Sequence, residues 1–258
     1  MISADAFELG TVGGDGPALL CLHGLTGTPY EVRPPSAIFE QHGFACLGPL
    51  LPGHGCTVEE LARTPRDAWV RCALDTHDRL AATHSRVYVL GLSLGGVLAL
   101  RVAEERAVAG ALVIAAPLDL GRFRRLAVPV LSLALASIAK TPAIFDPESR
   151  ERHPGYRRMP LRAVLELIRL QSEVEAQLPR IVAPLRLLYS RRDPTVRVDD
   201  ARRILRGANR AQGIVDYLES SAHVVTVDRE RERVEQWIVN SILELEKTHE
   251  LTERTSRL

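Results

Sequence analysis

Between Val87 and Gly96 an apolar, β-branched run passes into Gly-Leu-Ser-Leu-Gly and turns at once into residues of helical period. No other stretch restricts the folding of this chain as strongly. A strand that ends in Gly-x-Ser-x-Gly and continues as a helix must turn sharply at the serine. Small residues at Gly91 and Gly95 are then required, because a Cβ would clash where the two elements nearly touch. Ser93 is lifted out of the sheet at a helix N-terminus, where free N–H groups and the helix dipole favour developing negative charge. Alone, the pattern is weak, and a plain turn serine is its bland reading. The strand before it, the helix after it and partners further along the chain make Ser93 a candidate nucleophile.

Around this turn, short β-branched or apolar runs alternate with longer segments of helical period. This pattern predicts an α/β fold with a mostly parallel central sheet and helices on both faces. Strands are expected over 7–12, 18–22, 44–48, 87–90, 110–115, 185–189 and 214–218, and helices over 30–42, 65–83, 94–107, 199–205 and 228–246. With 258 residues, 46% of them hydrophobic, the chain can bury a full core as one domain spanning 1–258. The alternation fails from about 117 to 184. There an apolar stretch over 127–139, a polar loop and then Leu161, Val164, Leu165 and Ile168 at helical spacing predict a small helical insertion. It follows a strand, so it is expected above the strands' C-terminal ends, as a cap lining an acyl pocket or as a dimerisation surface. The polar segment 248–258 is expected to be a frayed tail.

The loops after the strands carry the remaining chemistry. His23-Gly24-Leu25-Thr26-Gly27 follows the strand over 18–22, and its glycines let the backbone approach a ligand. The N–H groups of Leu25 and of Leu94, the residue after Ser93, are the candidate oxyanion donors. His23 is expected to fix this loop by hydrogen bonding, and Thr26 to be structural. Pro52-Gly53-His54-Gly55 reads first as a tight turn, with His54 a rival base. Asp193 lies on the loop after the strand over 185–189, and His223 on the loop before the last helix. A serine hydroxyl needs a base at neutral pH, and an imidazole needs a carboxylate to set its tautomer, so Ser93, His223 and Asp193 form the expected set. Asp119, Asp199 and Asp200 are rival acids, the last two better suited to opening a helix.

A formal net charge of +1, with lysine only at Lys140 and Lys247 and the arginines interspersed with acids, argues against nucleic acid binding. The N-terminus lacks a secretory pattern, and no apolar run is long enough to cross a bilayer, so a cytoplasmic location without stable membrane insertion is expected. Cys21, Cys46, Cys56 and Cys72 show no metal spacing and are expected as reduced thiols. Neither metal nor organic cofactor is called for.

Taken together, HGLTGTP, LPGHG, GLSLGG, SRRDPTV and SAHVVTVDRE resemble the bacterial carboxylesterases and monoacylglycerol lipases of the α/β-hydrolase fold. The resemblance covers nearly the whole chain and is weakest over 117–184. It implies a triad of Ser93, Asp193 and His223, with Leu25 and Leu94 as oxyanion donors. The family's chain order, serine then acid then histidine, counts against His54. Arg191 and Arg192 before the acid depart from the family, where smaller or neutral residues are usual, and bear on the charge near the acid. The expected activity is hydrolysis of short- to medium-chain carboxylic esters through a serine acyl-enzyme, acting on a small-molecule ester. Monoacylglycerol lipase is the near alternative, carbon–carbon bond hydrolysis or perhydrolysis a further one, and a non-catalytic binding scaffold the distant one.

Overall fold

The computed structural model describes residues 4–10, 16–33, 39–40, 42–119 and 121–256. Its strands are β1 (Phe7–Leu9), β2 (Ala18–Leu22), β3 (Ala45–Gly48), β4 (Val87–Leu92), β5 (Gly110–Ile114), β6 (Ser137–Ala139), β7 (Arg158–Pro160), β8 (Leu185–Ser190) and β9 (Gly213–Leu218). The helices among the described residues are α1 (Val58–Arg63), α2 (Arg66–Ala81), α3 (Leu94–Glu105), α4 (Arg122–Ala134), α5 (Pro147–Arg152), α6 (Leu161–Gln177), α7 (Asp199–Gly207) and α8 (Arg231–Ser256).

Seven strands form one sheet in the order β1-β3-β2-β4-β5-β8-β9. Every neighbouring pair is parallel except β1 with β3. Central strands β2, β4 and β5 are buried from end to end, as parallel strands covered on both faces must be. Side chains alternate between the faces. Leu20, Leu22, Val89, Val113 and Leu187 pack on one side with Trp69 of α2, Leu98 of α3, Leu167 of α6 and Ile204 of α7. Leu19, Leu90, Leu112, Ile114 and Leu188 pack on the other with Val234, Ile238 and Ile242 of α8. Each such leucine or isoleucine withdrawn from water stabilises the fold by roughly 1.5–3 kcal/mol before entropy is counted.

The doubly covered, mostly parallel sheet is therefore as the sequence predicts. Strand 7–12 is seen as Phe7–Leu9, with 11–12 outside the described residues. Of the helix expected over 30–42, the segment 34–38 also lies outside them, and Pro29–Glu31 form a 3-10 turn. Helix α1 was not expected; it is started by a capping box in which Thr57 Oγ1 accepts the Glu60 N–H and Glu60 accepts the Thr57 N–H.

Strands β5 and β8 are adjacent in the sheet, so everything from 117 to 184 is inserted between two hydrogen-bonded neighbours. The insertion is not purely helical. Ser137–Ala139 pair with Arg158–Pro160 as a small antiparallel hairpin, so the apolar stretch 127–139 ends as strand. Within the segment 248–258, expected as a frayed tail, α8 continues to Ser256, and 257–258 lie outside the described residues. Leu245 is buried against the sheet, and His249 Nε2 lies 2.9 Å from the carbonyl of Ala109, which pins the helix beyond the point where its polar sequence stops signalling burial.

Candidate active site

The turn at Ser93 has φ 58° and ψ −116°, a left-handed region that an L-residue occupies only at a cost of about 1–3 kcal/mol. Two constraints hold it there. The Ser93 N–H donates to Ile114 O at 2.9 Å, and α3 begins at the next residue, with Val97 N–H donating to Ser93 O at 3.1 Å. The flanking glycines have no alternative: a Cβ on Gly91 would overlap the Gly95 carbonyl, and one on Gly95 would overlap the Leu22 carbonyl. Thr26 (φ 66°) and Ala115 (φ 47°) are the other non-glycine residues with positive φ among those described, and they follow β2 and β5, the two neighbours of β4. The backbone strain is thus collected at the C-terminal ends of three adjacent strands.

Ser93, Asp193 and His223 lie far apart in the chain and meet at this edge. His223 Nε2 is 2.9 Å from Ser93 Oγ, and His223 Nδ1 is 2.7 Å from Asp193 Oδ2. The other Asp193 oxygen, Oδ1, accepts the N–H groups of Thr195 at 2.7 Å and Val196 at 3.0 Å. Burial works to raise the Asp193 pKa, but the His223 charge and hydrogen bond and the two backbone donors outweigh it and hold the carboxyl below the usual aspartate value. An ionised carboxylate facing Nδ1 keeps the proton on that nitrogen. Nε2 is then free to accept from the serine, which is the arrangement a hydroxyl nucleophile requires.

A second loop also approaches Ser93. A Cβ built on Gly24 would come 3.4 Å from Ser93 Cβ, so the loop after β2 lies against Ser93. Among the described residues, the N–H groups of Leu25 and Leu94 make no hydrogen bond within the protein. His23 is placed as expected: it accepts the Leu51 N–H on Nε2 at 3.0 Å, so its Nδ1–H donates to Gly24 O at 3.0 Å, tying together the loops after β2 and β3. Thr26 is fully buried, with its carbonyl accepting the Tyr156 N–H at 2.9 Å and its hydroxyl 2.7 Å from Lys140 Nζ.

The rivals go elsewhere. His54 packs edge-on against His23, with ring centroids 4.8 Å apart, its Nδ1 facing the carbonyls of Leu51 and Pro52. Burial pulls its pKa down to about 3, and neither ring nitrogen contacts Ser93. Asp119 pairs with Arg203, Asp199 with Arg197 and Arg202, and Asp200 accepts the Leu118 N–H at 3.2 Å. Arg191 and Arg192 turn away from the acid. Arg191 pairs with Glu219 at 2.9 Å and covers the Tyr217 ring, and Arg192 lies over Phe145.

Sequence reasoning passed over Asp228, which the fold buries completely beneath the His223 loop. Its carboxylate accepts the N–H groups of Ala222, Phe145, Asp146 and Arg229 at 2.6–3.1 Å. The N–H groups of His223 and Val224 in turn donate to Ala143 O of the insertion. The only available signal was an aspartate shortly after the histidine, which reads equally well as a helix start.

A sharply turned serine after a central strand of a doubly covered parallel sheet, with a buried histidine and carboxylate brought to it from later loops, defines a class. The chain belongs to the alpha/beta hydrolase family, whose model matches residues 19–237. Within that class, it is 30% identical over 224 residues to the thermostable monoacylglycerol lipase of Bacillus sp. (strain H-257), covering 83% of this chain and 86% of the relative. It is 28% identical over 228 residues to a carboxylesterase of Bacillus subtilis (strain 168), covering 87% and 91%. A solved structure from work on LipS and LipT, two metagenome-derived lipolytic enzymes, matches with a TM-score of 0.86 at 26% identity, over 95% of this chain and 98% of the other.

Proposed function

We propose that this protein is a carboxylic ester hydrolase working through an acyl-enzyme on Ser93, and specifically a carboxylesterase of short- to medium-chain esters. The observation that carries the reading is the unbroken hydrogen-bonded chain from Asp193 through His223 to Ser93 Oγ. Ser93 Oγ attacks the ester carbonyl as His223 Nε2 takes its proton. The oxyanion that forms is received by the N–H groups of Leu25 and Leu94. Collapse expels the alcohol, protonated by His223. Water then attacks the acyl-enzyme by the same route in reverse and releases the acid.

The insertion over 117–184 is read as a cap on a single domain, since Ala143 and Tyr156 bond to the loops that carry His223 and Thr26. Its helix α4 exposes Leu126, Val130, Leu131 and Leu133, and Leu135 and Ile138 follow. This apolar face supports a homodimer formed through the cap, and action on monoacylglycerols, as the name of the Bacillus sp. relative has it, is the alternative to the short- to medium-chain reading. Light scattering after gel filtration tests the homodimer. Among the described residues no helix is long and apolar enough to cross a membrane. A cytoplasmic location is part of the proposal, in keeping with the absence of a disulfide among the described residues.

Initial rates on p-nitrophenyl acetate, butyrate, octanoate and palmitate, and on monoolein, measured for wild type beside Ser93→Ala, test the function. Turnover that peaks at butyrate or octanoate and falls to background in Ser93→Ala is expected. A preference for monoolein moves the assignment to monoacylglycerol lipase. No turnover of any ester, or full turnover by Ser93→Ala, refutes it.

A further inference from the structure

Glu31 is a buried acid that the mechanism above does not use. It sits on the 3-10 turn Pro29–Glu31, is 3% exposed, and points back under the loop that follows β2. Its Oε2 accepts the Gly24 N–H at 2.9 Å, and its Oε1 lies 2.9 Å from Nε2 of His153, which belongs to the insertion. The Gly155 N–H donates to Nδ1 of that ring at 3.2 Å, so the ring proton is on Nε2 and His153 donates to Glu31. The space is shaped around this carboxylate. A Cβ on Gly27 would overlap both of its oxygens, and one on Gly24 would come 3.1 Å from Oε2. Burial works against ionisation, yet the hydrogen bonds from His153 and Gly24 and the nearby His23 ring prevail, and the carboxyl is held down at about 2.

We propose that Glu31 is a positioning residue for the oxyanion loop: anchored by His153 of the insertion, it grips the Gly24 amide and thereby fixes the direction of the next amide, that of Leu25. The inference rests on the reading of Leu25 N–H as an oxyanion donor. A single buried acceptor is needed because the loop is glycine-rich and one of its two β-branched residues, Thr26, is held at positive φ. Such a backbone does not hold its own shape. The insertion supplies the rest of the grip through Tyr156 N–H on Thr26 O and Lys140 Nζ on Thr26 Oγ1. On this account the insertion takes part in the chemistry by stiffening one half of the oxyanion hole as well as by covering it.

The test is steady-state kinetics on p-nitrophenyl butyrate, with second-order labelling of Ser93 by a fluorophosphonate, for wild type, Glu31→Ala, Glu31→Gln and His153→Ala. Loss of one oxyanion donor costs about 100- to 1,000-fold in kcat, so misaiming it in Glu31→Ala is expected to cost at least about 10-fold in kcat with KM within about threefold. Glu31→Gln, whose amide oxygen still accepts from Gly24 but whose NH2 faces the His153 Nε2–H, is expected to be faster than Glu31→Ala and to recover only to about the level of His153→Ala. His153→Ala is expected to lose at least about threefold in kcat, and it decides the matter if Glu31→Ala does not fold. The proposal is overturned if these kcat values stay at the wild-type level, if the loss lies in KM, or if Glu31→Gln is as slow as Glu31→Ala. If wild type turns over no ester, the esterase reading fails, while labelling rates still report on Glu31, because phosphonylation also builds charge on an oxygen at the same amides. A wild type that neither turns over nor labels defeats both.

Discussion

Glu104 offers a stability experiment well away from the chemistry. It lies in the last turn of α3, with its side chain 1% exposed, Arg101 Nη1 no nearer than 3.9 Å, and neither oxygen hydrogen-bonded among the described residues. Burial pushes its carboxyl up from 4.5 to about 8, with Arg101 and Arg180 opposing and Glu105 adding to the rise. The folded protein therefore holds a proton that the unfolded chain releases above its ordinary pKa. Stability that is full below pH 4.5 is lost as pH rises toward 8 and levels off beyond it. At about 1.4 kcal/mol per pH unit, the loss between pH 5 and pH 8 is about 3–4 kcal/mol, because the titration is incomplete at both limits. Glu104→Gln keeps the shape and cannot titrate. Its Tm, relative to wild type at the same pH, should rise by roughly 10 °C between pH 5 and pH 8, at about 2–4 °C per kcal/mol for a chain of this size. Comparing the two proteins at each pH cancels the groups they share. Melts followed by circular dichroism at pH 5, 6.5 and 8 would measure it, and a Tm difference that changes by less than about 2 °C over this range refutes a buried, protonated Glu104.

Asp193→Asn should keep the fold, since its Oδ1 can still accept from Thr195 and Val196, but it turns an NH2 toward His223 Nδ1 and forces the wrong tautomer. A drop of kcat by about 10⁴-fold with an unchanged melt is expected, and a drop below about 100-fold would contradict the assigned role. Asp228→Ala strips the acceptor from four buried or half-buried N–H groups that join the His223 loop to the insertion. With charged-acceptor bonds worth about 1.5–3 kcal/mol each and partial relief by water, a loss of about 3–5 kcal/mol is expected in urea melts, and a loss under about 1 kcal/mol would show that the clasp carries little.

What could be read from the chain alone was whatever short-range stereochemistry dictates. Gly91-Leu92-Ser93-Leu94-Gly95 demands its turn because the clashes that exclude other residues lie within a few positions and against the adjoining strand. The buried strands announce themselves as apolar runs because both faces are covered, and the loops carrying Asp193 and His223 are placed by the strands that precede them. The insertion was less legible: β6 and β7 are short and exposed enough to leave no period, and the last turns of α8 are held by His249 reaching Ala109, a contact no local pattern encodes. Glu31 and Asp228 lay beyond sequence for the same reason. A lone acid among polar neighbours looks like any surface acid until the fold brings Gly24 and His153, or Ala222 and Phe145, around it. The sequence by itself determined the sheet, the turn at Ser93 and the chain order in which Ser93, Asp193 and His223 follow their strands, because local sterics and hydrophobic period act along the chain. Only the tertiary structure decided which buried acids grip the site's loops, because a carboxylate's role is set by the N–H groups and burial that distant segments bring to it.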